Sequence, residues 1–405
     1  MNTRILIITN GPLCRNPRPI KEAGTLGRAG YQVTLLAVRN HAVSEAQDRI
    51  LLQGAPFRRE LIDMIPGFGT STIRVFQRKL LLRAAREAAN CGLATIHALG
   101  PAGPLLRRAR QLPADLTIVH NEGPHWVGVQ LMKQGRRVAA DIEDWHSEDL
   151  LPADQLRRPL SQIRAAERAV VTRAVYATTT SHALADALHV RYGGPQPAVI
   201  ANAFPLQPEP HRGGPGEPPS FFWFSQTLGP GRGLELFLEA WKNVRLPSRL
   251  VLLGEPDLGY DRQLLASLPE SGRSRVSFHR LLPPADLPRF IARHDVGLAL
   301  ELPSMVSRNL TITNKILQYL NAGLAVIASD TAGHREVLSR SAEAGVVVAL
   351  NETARLAQTL DRLLEDRALL ARRQQAARRL AEEVYCWERE APRLVALVAA
   401  AVGPP

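Results

Sequence analysis

The sequence predicts an α/β protein of two doubly wound domains, each with a parallel sheet covered by helices. Three observations support this fold class. The chain has 405 residues, a length that fits two domains. Short apolar, β-branched runs alternate with longer helical patterns along the whole chain. A segment rich in Pro and Gly divides the chain into halves of similar size.

Twelve apolar runs mark the predicted strands. Because they carry apolar residues on both faces, we expect strands that are buried from both sides, as in parallel sheets. In the first half these runs are residues 4–9, 33–37, 94–97, 116–120, 138–141 and 177–180. In the second half they are residues 221–224, 250–253, 276–279, 296–299, 325–328 and 345–348. Ligands of such domains bind near the carboxyl ends of the strands.

The segment 203–220 sets the predicted domain boundaries, since six of its eighteen residues are Pro and three are Gly. We assign residues 1–202 to an N-terminal domain, 203–220 to a linker and 221–379 to a C-terminal domain. A last helical stretch, interrupted near Pro392, extends far beyond the final predicted strand. We expect its end, about 380–405, to complete the N-terminal domain.

Composition excludes several classes of protein. With 45% hydrophobic and 22% charged residues, the chain is neither disordered nor collagen-like nor a small disulfide scaffold. Cys14, Cys91 and Cys386 form no C-x-x-C pair, so a zinc site or a disulfide framework is not expected. No signal peptide and no membrane-length apolar run are apparent. We expect a cytoplasmic protein, with a peripheral place at the inner face of the plasma membrane as one possibility.

The formal charge of +12 is concentrated in residues 1–202, which hold 26 Lys and Arg against 16 Asp and Glu. Residues 74–89 predict an amphipathic helix that carries Arg74, Arg78, Lys79 and Arg83 beside an apolar face. Such a helix can bind an anionic membrane surface. The alternative is a surface helix with its arginines in water. No motif for nucleic-acid binding accompanies the charge, and no nucleic-acid partner is expected.

Three loop regions carry the candidate chemistry. After the first strand, Asn10 and Gly11 begin an irregular loop that leads to a helix from Ile20. The free backbone amides of this loop could bind an anion or sugar hydroxyls. The alternative is an ordinary turn. Residues 223–240 run from a buried strand through a Gly/Pro loop with Arg232 into a helix. That arginine can clamp phosphate oxygens, or it is a solvated side chain in a flexible loop.

The third region, residues 307–337, predicts a loop, helix, turn, buried strand, loop and helix. Thr313 is placed as the N-cap of the first helix and Gly323 as its C-cap. Lys315 lies in the first helical turn, where the helix dipole disfavours a cation. An anionic ligand would explain a lysine at this position.

With these segments, the chain resembles glycosyltransferase family 4, whose members have the GT-B fold. NKILQYLNAGLAVIASD (314–330) is similar to the family's donor-site helix, turn and strand, and SQTLGPGRG (225–233) takes the place of its diphosphate loop. The opening RILIITNGP (4–12) is similar to its first strand and loop. DIEDWHSED (141–149) resembles the segment that presents a histidine to the cleft, and VYCWERE (384–390) resembles the helix that crosses back.

Two departures from the family pattern concern the donor site. The family commonly has two glutamates separated by seven residues, but this chain has Leu310 and Gln318 at those positions. The diphosphate loop of the family usually has two cations, and here only Arg232 matches, since Gln226 and Thr227 lie where the first is expected. These changes affect the identity of the donor more than the fold.

The resemblance implies a set of site residues. Arg232 and Lys315 would bind the diphosphate and Gln318 the ribose. The full donor set is Gly11, Gln226, Thr227, Arg232, Arg308, Asn309, Asn314, Lys315, Gln318 and Glu336. The acceptor and cleft set is Asn10, Arg18, His120, Asn121 and Glu122.

The catalytic prediction is His146 with Asp144 and Glu148, which lie in a cluster of five carboxylates within residues 141–149. His146 would contact the transferred sugar or the acceptor, and a carboxylate would act as general base. The alternative is a histidine packed at a strand-to-helix turn. Neither a metal nor another cofactor is expected beyond the nucleotide-sugar substrate, because the family resembles metal-independent catalysts.

The implied activity is transfer of a sugar from a nucleotide-sugar donor to a saccharide or lipid-linked acceptor, in glycan or polysaccharide biosynthesis and with retention of configuration. Two alternatives stay open. One is a hydrolase or epimerase of the same fold that acts on a nucleotide sugar. The other is a non-catalytic binding protein of the same fold.

Overall fold

The computed structural model describes residues 3–149, 155, 158–208 and 217–404. The chain forms two compact units. Unit 1 comprises Met1–Ile200 and Ala391–Pro405, and unit 2 comprises Ala201–Glu390. The division therefore falls two residues before the predicted end of the N-terminal domain, and the chain returns to unit 1 at Ala391 rather than at about 380.

Unit 1 contains a parallel sheet of seven described strands in the order β3-β2-β1-β4-β5-β6-β7. The strands are β1 (Arg4–Ile8), β2 (Gln32–Arg39), β3 (Arg58–Asp63), β4 (Leu116–His120), β5 (Val138–Ile142), β6 (Ala177–Thr179) and β7 (Ala198–Val199). All five residues of β4 and of β5 are buried, as expected of central strands covered on both faces.

The helices of unit 1 lie between these strands in the chain, and several of them, such as α4 and α5, bury apolar residues. They are α1 (Pro17–Arg28), α2 (Ala42–Leu51), α3 (Thr72–Asn90), α4 (Ala102–Gln111), α5 (Glu122–Met132), α6 (Leu160–Arg173) and α7 (His182–Tyr192). Short 3₁₀ helices cover Leu13–Arg15, Ile96–Leu99 and His146–Glu148. Side chains of Ser71 and Ser181 accept backbone hydrogen bonds and cap α3 and α7.

Unit 2 contains a second parallel sheet, with six described strands in the order β10-β9-β8-β11-β12-β13. The strands are β8 (Ser220–Leu228), β9 (Arg249–Pro256), β10 (Val276–His279), β11 (Val296–Ala299), β12 (Ala325–Ser329) and β13 (Gly345–Val348). A large apolar core packs one face of this sheet against α8 and α15, with Trp223, Phe237 and Trp241 fully buried.

The helices of unit 2 are α8 (Leu234–Trp241), α9 (Tyr260–Ala266), α10 (Glu270–Arg273), α11 (Leu287–Ile291), α12 (Val306–Leu310), α13 (Asn314–Asn321), α14 (Ala332–Leu338), α15 (Thr353–Glu365) and α16 (Arg367–Glu383). The last helix, α17 (Trp387–Val402), begins in unit 2, and its residues from Ala391 onward belong to unit 1. No helix in the described part of the chain is long and apolar enough to cross a lipid bilayer.

Strand predictions in the first half differ from the structure at residues 94–97, at β3 and at β7, whose two residues were not predicted as a strand. Residues 94–97 were predicted as a strand, but Ile96–Leu99 forms a 3₁₀ helix that ends at Gly100, where φ is +152°. Conversely, β3 was not predicted, because its sequence RRELID has no apolar run. It lies at the edge of the sheet beside β2, where charged side chains reach solvent.

The helix boundaries also differ at both ends of the chain. The first helix starts at Pro17 rather than at Ile20, because proline fits the first helical turn. The interruption predicted near Pro392 is wrong, since that residue lies inside α17. The actual break covers residues 384–386. There, Cys386 forms a β-bridge with Phe204, and Trp387 N–H donates to the carbonyl of Phe204.

Candidate functional site

In each unit the strand order reverses at the centre of the sheet, between β1 and β4 in unit 1 and between β8 and β11 in unit 2. At such a reversal, the loops after the two central strands leave in opposite directions and open a crevice at their carboxyl ends. Predicted site residues follow three of these strands, at Asn10, Asn121 and Arg232, whereas Asp144 and His146 follow β5. Each unit therefore presents one candidate site of its own.

The centre of the unit 2 site is an ion-pair cluster around Glu301, which lies just after β11. Lys315 Nζ is 2.5 Å from Glu301 Oε1, and Arg232 Nη1 is 3.1 Å from the same oxygen. Arg232 comes from the loop after β8, and Lys315 comes from the first turn of α13. Glu301 and Lys315 are buried, while the side chain of Arg232 keeps 30% of its surface exposed.

The charges in this cluster leave it positive. Burial would raise the pKa of Glu301, but the positive charges of Lys315 and Arg232 outweigh this effect and lower the pKa to about 2. Arg308, on α12, is near enough to act in the same direction. One carboxylate thus faces three cations, which suits a ligand with more than one negative charge. The lysine at a helix start has a protein carboxylate as its partner, and a bound anion is not needed to explain it.

A buried histidine supports the loop beside this cluster. His334 Nδ1 lies 3.0 Å from the carbonyl oxygen of Ser329, so this nitrogen carries the donated proton. His334 Nε2 then accepts from the hydroxyl of Thr313 at 3.2 Å. Burial lowers the pKa of His334 to about 4, which keeps the ring neutral. Thr313 occupies the N-cap position of α13, but its hydroxyl binds His334 instead of capping the helix.

The other predicted donor residues lie around the cluster in different settings. Gln226 and Thr227 were placed in a loop, but they are exposed residues of β8, which continues past a bulge to Leu228. Asn309 accepts from the N–H of Ala332, and Asn314 accepts from the side-chain amide of Asn202. Gln318 and Glu336 are half-buried, in α13 and α14 respectively.

In unit 1, a buried network joins the carboxyl ends of β4 and β5 to α1. The guanidinium of Arg18 donates to both carboxylate oxygens of Asp141, at 2.7 and 2.6 Å. His120 lies between two carboxylates, 3.0 Å from Glu22 and 3.2 Å from Asp141. Burial would lower the pKa of His120, but these carboxylates raise it to about 10.

This network argues against two predicted acceptor contacts. Arg18 and His120 are at most 1% exposed, and neither side chain is open to a ligand. Glu22, His120 and Asp141 are also side-chain types that bind metals, with ligand atoms within 4.8 Å of one another. The Arg18 guanidinium already occupies both oxygens of Asp141, so a metal ion would have to displace a paired cation.

A second group of unit 1 surrounds the predicted catalytic histidine. His146 Nδ1 is 3.1 Å from Glu122 Oε2, and Arg158 donates to the other oxygen of Glu122 at 2.9 Å. Burial would lower the pKa of His146, but Glu122 and neighbouring carboxylates raise it. Burial and the charge of Glu143 raise the pKa of Asp144 to about 7. His146 and Asp144 are therefore close enough to influence each other's proton.

Glu148 does not share that position. Its carboxylate pairs with Arg164 of α6, with Arg164 Nη2 3.2 Å from Glu148 Oε1. Next to this group, His125 Nε2 donates to the carbonyl of Asp141 at 2.8 Å, and burial lowers its pKa to about 4. The structure thus brings together His146, Asp144 and Glu122 and assigns Glu148 to a partly exposed ion pair.

Asn121 fixes the loop after β1 to the end of β4. Its side-chain oxygen accepts from the hydroxyl of Thr9 at 3.0 Å and from the N–H of Asn10 at 3.3 Å. Its φ of +68° is unusual for a residue with a side chain. Gly11 follows with φ +77°, and no atom lies within 4 Å of the position that a Cβ would take. The backbone at Gly11 is therefore open to a ligand.

Comparisons with known proteins identify the fold. The structure of Anabaena HepE in complex with UDP-glucose superposes with a TM-score of 0.70 at 16% identity, covering 98% of this chain and 100% of that one. The sucrose-phosphate synthase of Thermosynechococcus elongatus gives a TM-score of 0.69 at 15% identity, covering 98% and 99%. The chain has the GT-B fold.

Further comparisons place the family signal in unit 2 of this GT-B chain. Residues 218–366 match the family model of glycosyl transferases group 1. A protein described as a putative UDP-N-acetylglucosamine 2-epimerase from Listeria monocytogenes also shares the GT-B fold, with a TM-score of 0.60 at 13% identity and coverage of 99% and 96%. No curated protein matches the chain.

Several residues that organise the two sites of this GT-B chain are not apparent from the sequence. Glu301 lies two residues beyond the predicted strand 296–299 and was not predicted as a site residue. Its only sequence signal is an acidic residue directly after a buried strand. Glu22 and Arg158 lie within helical or polar segments that carry no motif, and their roles depend on contacts between distant parts of unit 1.

Proposed function

We propose that the chain transfers a sugar from a nucleotide-sugar donor to a saccharide or lipid-linked acceptor in glycan or polysaccharide biosynthesis. The observation that carries this proposal is the cluster of Arg232, Lys315 and Glu301 at the strand-order reversal of unit 2. It lies inside the segment that matches the group 1 glycosyl transferase model. A positive, partly exposed cluster at this place suits the diphosphate of a nucleotide sugar.

In the proposed reaction, the bond between the sugar and the diphosphate breaks and negative charge grows on the leaving oxygens. Arg232, with Lys315 and Arg308 nearby, would stabilise that charge without a metal ion. Gln318 would bind the ribose through its amide. We propose retention of configuration. In unit 1, His146 would contact the transferred sugar, and Asp144 would accept the proton of the acceptor hydroxyl.

The fold neighbours support a UDP-linked donor in particular. The HepE structures hold UDP, UDP with glucose, and UDP-glucose. One trehalose-6-phosphate enzyme structure from E. coli holds UDP-2-fluoro glucose. These ligands are bound by proteins of the same fold, and we propose the same class of donor for this chain.

Thermal unfolding with nucleotides tests the donor site. We expect the cognate nucleoside diphosphate to raise the melting temperature, because it binds the folded state only. Arg232→Ala should lose most of this shift. Arg355→Ala is the matched control, since it removes an 80% exposed arginine of unit 2 from α15. If no nucleotide stabilises the protein, the donor proposal is wrong.

A second candidate activity, hydrolysis or epimerisation of a nucleotide sugar, is favoured by the proton-transfer groups His146 and Asp144 and by the epimerase among the fold neighbours. Incubation with a panel of UDP-, GDP- and ADP-sugars, followed by mass spectrometry, separates the two. Conversion without any acceptor contradicts the transferase proposal. Nucleotide binding with no conversion under any condition indicates a non-catalytic binding protein.

We further propose that unit 1 binds the inner face of the plasma membrane through α3. Arg74, Lys79 and Arg83 are exposed on this helix, whereas Arg78 donates to the carbonyl of Asp63 at 2.7 Å and is tied to the end of β3. Sedimentation with vesicles tests the proposal. Pelleting with phosphatidylglycerol vesicles but not with phosphatidylcholine vesicles supports it, and no pelleting with either at low salt overturns it.

A further inference from the structure

Unit 1 contains a cavity of about 800 Å³ beside the carboxyl end of β1. Its walls are the loop that begins at Asn10 and Gly11, the end of β2 with His41, and one face of α3. This volume lies within the range of small-molecule sites. We call it the basic cavity.

Four cationic side chains line the basic cavity, against a single carboxylate, Glu87. They are Arg15, Lys79, Arg83 and Arg86. Three of them come from α3 at spacings of four and three residues, which places them on one face of the helix. The cavity thus concentrates positive charge on one wall, and it suits a ligand with at least two negative charges.

Two of these cations have no counterion in the part of the chain that the structure describes. Among the described residues, Lys79 and Arg83 form no ion pair, whereas other arginines of unit 1 do. Arg59, for example, pairs with Glu45 at 3.0 Å, and Arg108 pairs with Glu60 at 2.8 Å. Two like charges on one wall of a cavity repel each other, and an anion bound between them would offset that repulsion. A phosphate or diphosphate group can do so.

An exposed apolar stripe on α3 lies next to the basic face. Ile73, Phe76 and Leu80 are 72%, 65% and 56% exposed. At about 100° per residue, these positions neighbour Lys79 and Arg83 on the side away from the buried face of the helix. Large apolar side chains in water are costly and indicate an apolar partner. The partner next to a phosphate site would be the hydrocarbon chain of the same molecule.

We propose that the basic cavity binds the phosphate or diphosphate group of a lipid-linked acceptor, with its hydrocarbon chain along Ile73, Phe76 and Leu80. The proposal rests on the proposed function, because it names the acceptor of the same transfer reaction. It makes Lys79 and Arg83 the residues that select a phosphorylated acceptor over a neutral saccharide.

Calorimetric binding of three probes to the full chain tests the proposal. The probes are farnesyl diphosphate, inorganic pyrophosphate and farnesol. Arg232→Ala is used as the background, so that binding of a diphosphate at the unit 2 cluster is suppressed whether or not nucleotides bind there. We expect farnesyl diphosphate to bind at least tenfold more tightly than either other probe. If pyrophosphate binds as tightly as farnesyl diphosphate, the proposed role of the hydrocarbon chain is wrong. If farnesol binds as tightly, the proposed role of the phosphate is wrong.

Variants of α3 locate the site. On the same background, Lys79→Gln with Arg83→Gln should weaken farnesyl diphosphate binding at least tenfold, and Arg83→Lys alone should change it less than threefold. Arg173→Gln with Arg191→Gln removes two exposed charges of unit 1 outside the cavity and should change binding less than twofold. If this control weakens binding as much as the double variant of α3, bulk charge explains the binding and the site is disproved.

Discussion

At the scale of single residues, Glu301 determines how the charges of the unit 2 site are paired. Its carboxylate is buried and holds both Lys315 and Arg232. Removal of one partner from a buried ion pair costs more than the pair contributes, because the other charge stays buried without compensation. The sequence predicts the two cations at one site, but the glutamate between them is not apparent, since a single acidic residue after a strand has no repeating pattern.

Glu301→Gln should therefore destabilise the protein strongly. We expect a loss of about 3 kcal/mol in the free energy of unfolding, because Lys315 loses its buried counterion. Urea unfolding at pH 7 measures it. Glu239→Gln is the matched control in the same unit, since Glu239 forms an exposed pair with Lys242, and it should cost less than about 1 kcal/mol. Equal losses in both variants would contradict the buried-counterion role.

The same variant has a defined pH dependence. The pKa of Glu301 lies below its ordinary value of 4.5, at about 2, so its ionised form stabilises the folded state above pH 4.5. This contribution should disappear as the pH falls from about 4.5 to about 2. Unfolding of the wild type and Glu301→Gln across this range should show the stability difference shrinking. A constant difference down to pH 2 would contradict the lowered pKa.

Asp144 gives a prediction for catalysis. The pKa of Asp144 is raised to about 7, so this one carboxyl group is protonated in about half of the molecules at neutral pH. If Asp144 accepts the acceptor's proton, kcat/KM should fall about tenfold per pH unit below pH 7 and level off above it. Asp144→Asn should remove this limb of the pH profile along with most of the rate. Glu148→Gln, which only breaks the ion pair with Arg164, should retain the limb.

At the scale of elements, the turn between β4 and α5 is the clearest example of strain that is offset by hydrogen bonds. Asn121 adopts φ +68° there and binds Thr9 and Asn10 through its side chain. A residue with a Cβ in this region costs about 1 kcal/mol or more. The sequence indicated a strand followed by a helix at this point, but the backbone conformation of the turn has no sequence signal beyond the asparagine itself.

Asn121→Ala should be less stable than Asn121→Gly. Both lose the hydrogen bonds of the side chain, but alanine keeps the strained φ, whereas glycine adopts it freely. We expect about 1 kcal/mol between the two variants in urea unfolding. Asn90→Ala, at the exposed end of α3, is the control and should change stability by less than about 0.5 kcal/mol. Equal stability of the two Asn121 variants would show that the turn is not strained.

Elements also show where sequence patterns succeed and fail. Strands that are buried on both faces, such as β4 and β11, can be predicted from the apolar residues of the segment itself. The edge strand β3 does not, because its pairing with β2 depends on a neighbour that the local sequence does not reveal. Likewise, contacts with Phe204 end α16 and start α17, although Pro392 is the stronger local signal. Tertiary pairing decided each of these cases.

At the scale of the whole molecule, charge and chemistry are divided between the two units. Unit 2 places a few cations around one buried glutamate, while the excess positive charge of the chain lies in residues 1–202. The sequence predicted the uneven division of charge and the two doubly wound domains. It could not predict which charges are paired inside the protein, since pairing depends on side chains brought together from distant segments.

The proposed membrane contact should therefore depend on salt more than nucleotide binding does. Exposed charges are screened beyond about 10 Å at 0.1 M salt and beyond about 3 Å at 1 M. Raising the NaCl concentration over this range should lower the fraction of protein bound to phosphatidylglycerol vesicles at least tenfold. The thermal shift with a nucleoside diphosphate should fall less, because the cluster at Glu301 is mostly buried. Equal salt sensitivity would contradict this difference.

The internal counterion at Glu301 also bears on selectivity among anions. Because Lys315 and Arg232 already share a carboxylate, a small ion such as inorganic phosphate gains little by approaching them. Under the proposed function, a nucleotide sugar would gain more, since its base and ribose would add contacts elsewhere in unit 2. The glutamate would thus let the protein operate in a phosphate-rich cell without being inhibited by the commonest anion around it.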